Sequence, residues 1–268
     1  MPTIPAGEPH RQRQMAESFG TDAARYDRAR PRYPAEMIDR IVAQSPGRAL
    51  LDVGCGTGIA ARQFQAAGCT VLGVEPDARM AEFARSRGLD AEVSAFEAWD
   101  PAGRTFDTVV SGQAWHWIDP VAGAAKAASV LRPGGRLALF WNAFRLPPPV
   151  ADALITACRA ALPDAPFDLN ALGGQPVGAY SPVLAKASEG ITAAGGFSTP
   201  TEWTCTWSRD YTRTEYLDQF PTSGVAARLA PEALASILER VGTAIDGLGG
   251  SFTMEYTTAV LTSSPCGD

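Results

Sequence analysis

The chain has 268 residues, a net charge of −6 and an apolar fraction of 46%, values that allow a core domain with a substantial addition and exclude global disorder. Only two of its 23 basic residues are lysines, Lys126 and Lys186, and with no Lys/Arg cluster it matches a phosphate backbone poorly, so no nucleic-acid partner is expected. No apolar stretch reaches the roughly 18 residues that span a bilayer, and Met1–Arg13 lacks the apolar stretch of a secretory signal, so no membrane partner and a cytoplasmic location are expected.

In chain order, a polar tail precedes a short amphipathic helix predicted over 14–26, from the spacing of Met15, Phe19 and Tyr26. The prolines of Arg30-Pro31-Arg32-Tyr33-Pro34 break it, and a second helix is predicted over 35–44. Ala49–Val53 reads as a strand buried on both faces, and 59–67 as a helix closed by Gly68. A strand over 70–74 ends on Glu75, and a helix over 77–87 stops at Gly88. Further strands are predicted near 91–95 and at 108–110, then a helix over 121–131, a turn at Pro133-Gly134-Gly135 and a strand over 136–141. Strands alternating with helices at this pitch imply βαβ units and a parallel sheet.

After Trp141 the rhythm stops. Leu146-Pro147-Pro148-Pro149 is a rigid break, followed by a helix over 150–161 and a Gly/Pro-rich loop over 163–182. Strands over 202–207 and 252–261 read as antiparallel additions to the sheet edge, with helices around 214–220 and 231–245 as a cap. The expected architecture is a doubly wound α/β fold with a mostly parallel seven-stranded sheet and a C-terminal helical cap. Its expected division is 1–34 (tail and lid helix), 35–145 (core) and 146–268 (cap and added strands).

The strongest local signal is Asp52-Val53-Gly54-Cys55-Gly56-Thr57-Gly58, a glycine loop between a predicted strand and a predicted helix. Glycines there let the backbone turn tightly and approach a ligand, with the helix N-terminus facing it. The spacing is G-x-G-x-G, and Ile59 occupies the place of the third glycine in a dinucleotide fingerprint. Asp52, two residues before Gly54, would repel a pyrophosphate and attract a cationic amino group. Glu75 can accept hydrogen bonds from ribose hydroxyls. Five scattered cysteines without a CxxC pair, Cys55 among them, suggest reduced thiols and no zinc site; no metal is expected.

These motifs, with Glu75-Pro76-Asp77, Phe106-Asp107 and Leu131-Arg132-Pro133-Gly134-Gly135, resemble the class I S-adenosylmethionine-dependent methyltransferases, in particular the small-molecule group that includes trans-aconitate-methyltransferase-like enzymes. The resemblance covers 26–141 and implies S-adenosylmethionine as cofactor and S-adenosylhomocysteine as product. It implies that Asp52 with the backbone of Gly54, Cys55 and Gly56 holds the methionine part, and Glu75 the ribose. Pro76, Asp77 and Met80 would line the adenine side, with Ala95 and Phe96 at its edge and Gln113 near the methyl-bearing sulfur. Tyr26, Arg30 and Tyr33 match an N-terminal element that folds over the donor. Arg30 or Arg32 would pair with a carboxylate of donor or substrate, or be solvated at the surface.

Beyond the carboxyl end of strand four lies Gln113-Ala114-Trp115-His116-Trp117, the expected border of the reacting atoms. His116 has two readings, general base for the acceptor or a histidine hydrogen-bonded at the pocket floor. Trp115, Trp117 and Trp141 would face the sulfonium or an aromatic substrate, or be core. Trp203 and Trp207, from the cap, and Tyr33 are further substrate candidates with the same alternative. The expected function is methylation of an O, N or C atom of a small metabolite, plausibly in secondary metabolism, by a monomer or homodimer. The rivals are a protein that uses or senses the sulfonium without methyl transfer, and a nicotinamide-dependent oxidoreductase.

Overall fold

A computed structural model of the protein describes residues 18–163 and 180–266. The N-terminal tail and most of the loop expected over 163–182 lie outside them.

The helix expected over 14–26 is, in its described part, a 3-10 turn over Ser18–Asp22 leading into α1 (Ala23–Ala29), whose first turn the Asp22 carboxylate caps. Next come α2 (Ala35–Ala43), β1 (Ala49–Val53), α3 (Ile59–Ala66), β2 (Thr70–Glu75), α4 (Ala78–Ser86) and β3 (Asp90–Val93). The alternation continues with β4 (Phe106–Gly112), α5 (Pro120–Val130) and β5 (Leu131–Arg145). Asp119 caps α5 with Pro120 in its first turn, where a missing N–H costs nothing.

The sheet has seven strands in the order β3-β2-β1-β4-β5-β7-β6, where β6 is Thr201–Thr212 and β7 is Ser251–Ser263. The pairs β1–β2, β1–β4, β2–β3 and β4–β5 are parallel. The added strands run the other way. Asn142 on β5 meets Thr258 on β7 while Arg145 meets Glu255, and Thr201 on β6 meets Thr262 while Asp210 meets Thr253. In both pairs one number rises as the other falls, which is antiparallel pairing.

At Pro133-Gly134-Gly135 the expected turn is a bulge within β5. Phe106 pairs with Leu131 but Thr108 with Arg136, so three extra residues loop out, with Gly134 at φ +73°. Asp107 anchors this corner by accepting from the Ala49 N–H (2.8 Å) and Arg132 (2.9 Å). Gly47 leaves the room: a Cβ there would lie 2.4 Å from the Asp107 carboxylate.

The chain forms two compact units, and their limits differ from the three consecutive stretches expected. Among the described residues one comprises 32–142, 182–205 and 258–266, the other 18–31, 143–163, 180–181 and 206–257. Strands β1 to β4 lie wholly in the first, whereas β5, β6 and β7 contribute residues to both. The first unit packs α2 and α3 through Met37, Ile41 and Phe64 onto strand residues such as Leu50, Val110 and Phe140. The second has its own core of Leu154, Tyr216, Ile237, Val241 and Tyr256, from α6 (Pro148–Ala161), α8 (Arg213–Gln219), α9 (Pro231–Asp246) and the strand ends. Each such side chain contributes about 1.5–3 kcal/mol by leaving water. Helix α7 (Ser181–Ala194) buries Leu184, Ala187 and Ile191 along one face. Among the described residues no helix is long and apolar enough to cross a membrane.

Candidate functional site

The glycine loop leaves β1 between the two strands that flank it, β2 and β4, where the sheet order reverses and open α/β sheets hold ligands. Gly54, Gly56 and Gly58 have φ of +68°, +56° and +83°, a region costly for any residue with a Cβ. They are not equivalent. A Cβ on Gly54 would lie 2.5 Å from that of Ala114, whereas one on Gly56 would meet nothing within 4 Å. Gly54 is glycine for close packing as well as backbone, and Gly56 borders open space.

Asp52 is 1% exposed, and neither of its carboxylate oxygens has a hydrogen bond of normal geometry among the described residues; the Ala61 N–H is the group that opposes its burial. Burial, and secondarily the charge of Glu75, push its pKa up to about 7. Glu75, at the end of β2, is likewise raised to about 7 by burial, despite accepting from the Gly56 N–H (2.9 Å) and the Asp77 N–H (3.0 Å). Each of its oxygens keeps a second lone pair. Two buried acids poised near neutrality make a site that gains from any cation brought between them. The Cys55 thiol, packed over Gly73, is raised well above its usual range by burial and then by Asp52 and Glu75. Asp77 has a local occupation: it caps α4 and holds Arg79 at 2.7 Å, which lowers its pKa. Of the other residues expected around the cofactor, Pro76 is exposed, Ala95 is half-buried, and Met80 and Phe96 are buried.

At the carboxyl end of β4, Gln113 has φ +56°, a strained conformation for a residue with a side chain. Both ends of the residue are held. Its N–H donates to the Phe140 carbonyl (2.9 Å), and its Oε1 accepts from the Asn142 N–H (3.1 Å). Because the partner is a donor, the atom facing Asn142 must be Oε1, which settles the amide orientation and leaves the Nε2 donors as its other end.

His116 follows in a 3-10 turn over Trp115–Trp117. Its Nδ1 accepts from the Trp141 indole N–H at 3.3 Å. The ring is half-buried, and the protein packed around it lowers its pKa to about 3. In the neutral tautomer that this bond selects, the proton sits on Nε2, so His116 is a hydrogen-bond donor there. This favours the second reading of His116, a hydrogen-bonded histidine, over the general base.

The tryptophans divide. Trp115 and Trp141 are 1% and 0% exposed, so both are core, and the substrate-facing expectation is corrected for them. Trp117 is half-buried beside the His116 ring, 4.8 Å between centroids. Trp203 lies under the Arg40 guanidinium at 4.0 Å and packs against the core, so its visible role is to cover α2. Tyr33 packs edge-on against Phe140 (4.6 Å), and its hydroxyl fills the space a Gly112 side chain would occupy. Gln63 on α3 clamps the Tyr33 backbone, accepting its N–H and donating to its carbonyl.

Tyr26, Arg30 and Trp207 belong to the other unit. There Arg30 stacks over Tyr26 (4.9 Å) and donates to the Thr222 carbonyl, while Trp207 stacks on Tyr256 (4.1 Å).

Sequence reasoning missed Asn142 and Thr258. Asn142 is 2% exposed, donates to the Arg32 carbonyl (3.2 Å) and accepts from the Thr258 hydroxyl (2.6 Å). A lone amide inside the apolar run Leu137–Phe144 was the available signal. Thr258 had none, because it sits in a run of threonines that read alike.

Comparison with known proteins agrees with this geometry. Residues 51–139 match the methyltransferase domain family. Over 132 residues the chain is 38% identical to an uncharacterized methyltransferase of Mycobacterium tuberculosis, covering 48% of this chain and 54% of that one. It is 36% identical over 128 residues to malonyl-[acyl-carrier protein] O-methyltransferase of Enterobacter lignolyticus, covering 43% of this chain and 51% of that one. The chain thus spans about half the length of these curated relatives. A solved structure from Anaeromyxobacter dehalogenans, provisionally described as a type II methyltransferase, covers 87% of this chain and 97% of its own with a TM-score of 0.62 at 21% identity, which shows a shared fold. With its glycine loop, the acids at the ends of β1 and β2 and the reversed strand order, the core of this chain is similar to the methyltransferase domain family over residues 51–139.

Proposed function

We propose that the protein transfers a methyl group from S-adenosylmethionine to a small molecule. One observation carries the reading: a fully buried carboxylate, Asp52, two residues before the first glycine of the loop, with only the Ala61 N–H set against its burial among the described residues. A buried acid with so few donors is costly, and an ammonium group is the complement that offsets the cost. S-adenosylmethionine supplies that ammonium, two ribose hydroxyls and an activated methyl group on a cationic sulfur. Asp52 holds the amino acid end, the Gly54–Gly56 backbone lets it approach, and the free lone pairs of Glu75 accept from the ribose. Phe96 and Met80 supply apolar surface toward the adenine.

Catalysis is then chiefly positional. Holding donor and acceptor in line can supply several kcal/mol, up to roughly 7–11 in the best intramolecular cases. Gln113 and His116 contribute N–H donors at the carboxyl end of β4, where they orient an acceptor by its lone pairs. The net charge of −6 favours a small acceptor over nucleic acid.

The test is calorimetric titration with S-adenosylhomocysteine, with NADH in parallel, followed by transfer of a labelled methyl group to a panel of metabolites. Micromolar binding of the first alone, then label in a small acceptor, is expected. Binding of NADH alone overturns the cofactor assignment, and label found only in RNA or protein overturns the acceptor class.

A further inference from the structure

The second unit contains a cavity of about 710 Å³ that the methyl-transfer reading does not use, lined by residues of α1, the end of β6, α8 and α9. Its size falls in the range of small-molecule sites. Four arginines line it, Arg25, Arg28, Arg209 and Arg213, against two carboxylates, Asp218 and Glu215.

The two acids do not satisfy the four cations. Asp218 is shared: one oxygen accepts from Arg25 Nε (2.8 Å) and the other binds Arg28 (2.8 Å). Among the described residues Arg25 spends only Nε in this way, which leaves both its terminal nitrogens for another acceptor. Glu215 is committed to a capping box, its Oε2 taking both the N–H and the hydroxyl of Thr212. Its other oxygen forms only a loose ion pair with Arg209 at 3.7 Å, beyond hydrogen-bond length.

Arg209 is nevertheless held in place, its guanidinium 4.4 Å over the ring of buried Tyr211. Arg213 lies against α9 in the space left by Gly242, with Asp246 at 3.2 Å from outside the cavity wall. Holding like charges around one concavity costs free energy unless an anion joins them. Stacked and braced guanidinium forks have lost part of their conformational freedom beforehand, and their planar donors match oxyanions two at a time. Leu217 and Leu238 add apolar wall.

We propose that this cavity is a binding site for a small organic anion, an oxyanion head held by Arg25 and Arg209 with an apolar body against Leu217 and Leu238. Guanidinium forks accept carboxylate and phosphate alike, so the head group is read by experiment. The inference is independent of the methyl-transfer reading.

The experiment is calorimetric titration of the full chain at low salt with phenyl phosphate and with phenylacetate, benzyl alcohol serving as the neutral control. One of the two anions is expected to bind saturably at submillimolar concentration, and the tighter one identifies the head. Arg209→Gln and, separately, Arg25→Gln should each weaken it about tenfold or more. Arg28→Gln, at a more exposed position, supplies a third variant should either fail to fold, with a smaller loss expected. Asp52→Asn should leave this binding unchanged while weakening that of S-adenosylhomocysteine at least tenfold, which separates the two sites. Absence of saturable binding by either anion, equal binding of benzyl alcohol, or indifference to the arginine substitutions overturns the proposal.

Discussion

The Trp141 indole N–H points at Nδ1 of His116 across 3.3 Å, and this bond decides what the histidine can do. With the lone pair of Nδ1 occupied and the ring pushed to a pKa of about 3 by burial, His116 is a fixed-tautomer donor. Loss of a general base costs roughly 10²–10⁴-fold. His116→Gln, which preserves an acceptor for Trp141, should instead retain methyl transfer within about tenfold, and the rate profile should show no limb near pH 6.5. A loss of a thousandfold with a vanished limb would restore the base.

The same shift has a stability consequence. The unfolded histidine takes up a proton near pH 6.5 and the folded one only near 3, so stability is lost as pH falls between those values. Urea denaturation at pH 7 and pH 4.5 should show a smaller decline for His116→Gln than for the parent chain.

Asp52 carries the opposite sign. Its folded pKa of about 7 exceeds the ordinary 3.8, so in the ligand-free protein stability is lost as pH rises from about 4 to 7. Asp52→Asn should therefore be the more stable form at pH 8, by about 2–4 kcal/mol, yet bind S-adenosylhomocysteine at least tenfold more weakly. An ammonium group restores the carboxylate, so binding at pH 6 should release protons, read by calorimetry in buffers of different ionisation enthalpy. Binding without proton release would detach Asp52 from the ligand.

Gly54 and Gly56 should respond differently to the same substitution. Both have positive φ, a strain of about 1–2 kcal/mol for alanine. Gly54→Ala adds a clash with Ala114 at 2.5 Å and should lower the unfolding temperature markedly. Gly56→Ala meets no protein atom, so its larger effect should be on ligand affinity. Equal thermal shifts with equal affinities would contradict the placement of the open space.

Asn142→Leu removes the hydrogen bonds to the Arg32 carbonyl and the Thr258 hydroxyl, at a cost of about 1–3 kcal/mol in urea denaturation. The hydrogen bond to Gln113 comes from the backbone of residue 142 and should survive. A change below about 0.5 kcal/mol would show that water replaces the side chain.

Much of this protein was legible before folding because its signals are local. The run Ala49–Val53, the glycines after it and the helix beyond appear within a residue or two of their expected limits, since burial on both faces and positive φ leave few residue types admissible. The antiparallel additions were legible too, although their lengths were underestimated: β6 and β7 run to 212 and 263, where alternation fades but pairing continues. The bulge at Pro133-Gly134-Gly135 read as a turn because the same residues serve both, and only the partner strand distinguishes them.

By itself the sequence determined the order of strands and helices, the glycine loop, and the two acids that end β1 and β2. Each follows from residue type and spacing along a few neighbouring positions. Only tertiary structure decided that Trp115 and Trp141 are core, that His116 accepts from the Trp141 indole, and that Asn142 joins Arg32 to Thr258. It also gathered Arg25 and Arg209, 184 positions apart, around one cavity. A side chain's protonation, exposure and hydrogen-bond partner depend on atoms brought near from distant parts of the chain, and nothing in the local pattern of residues encodes those distances.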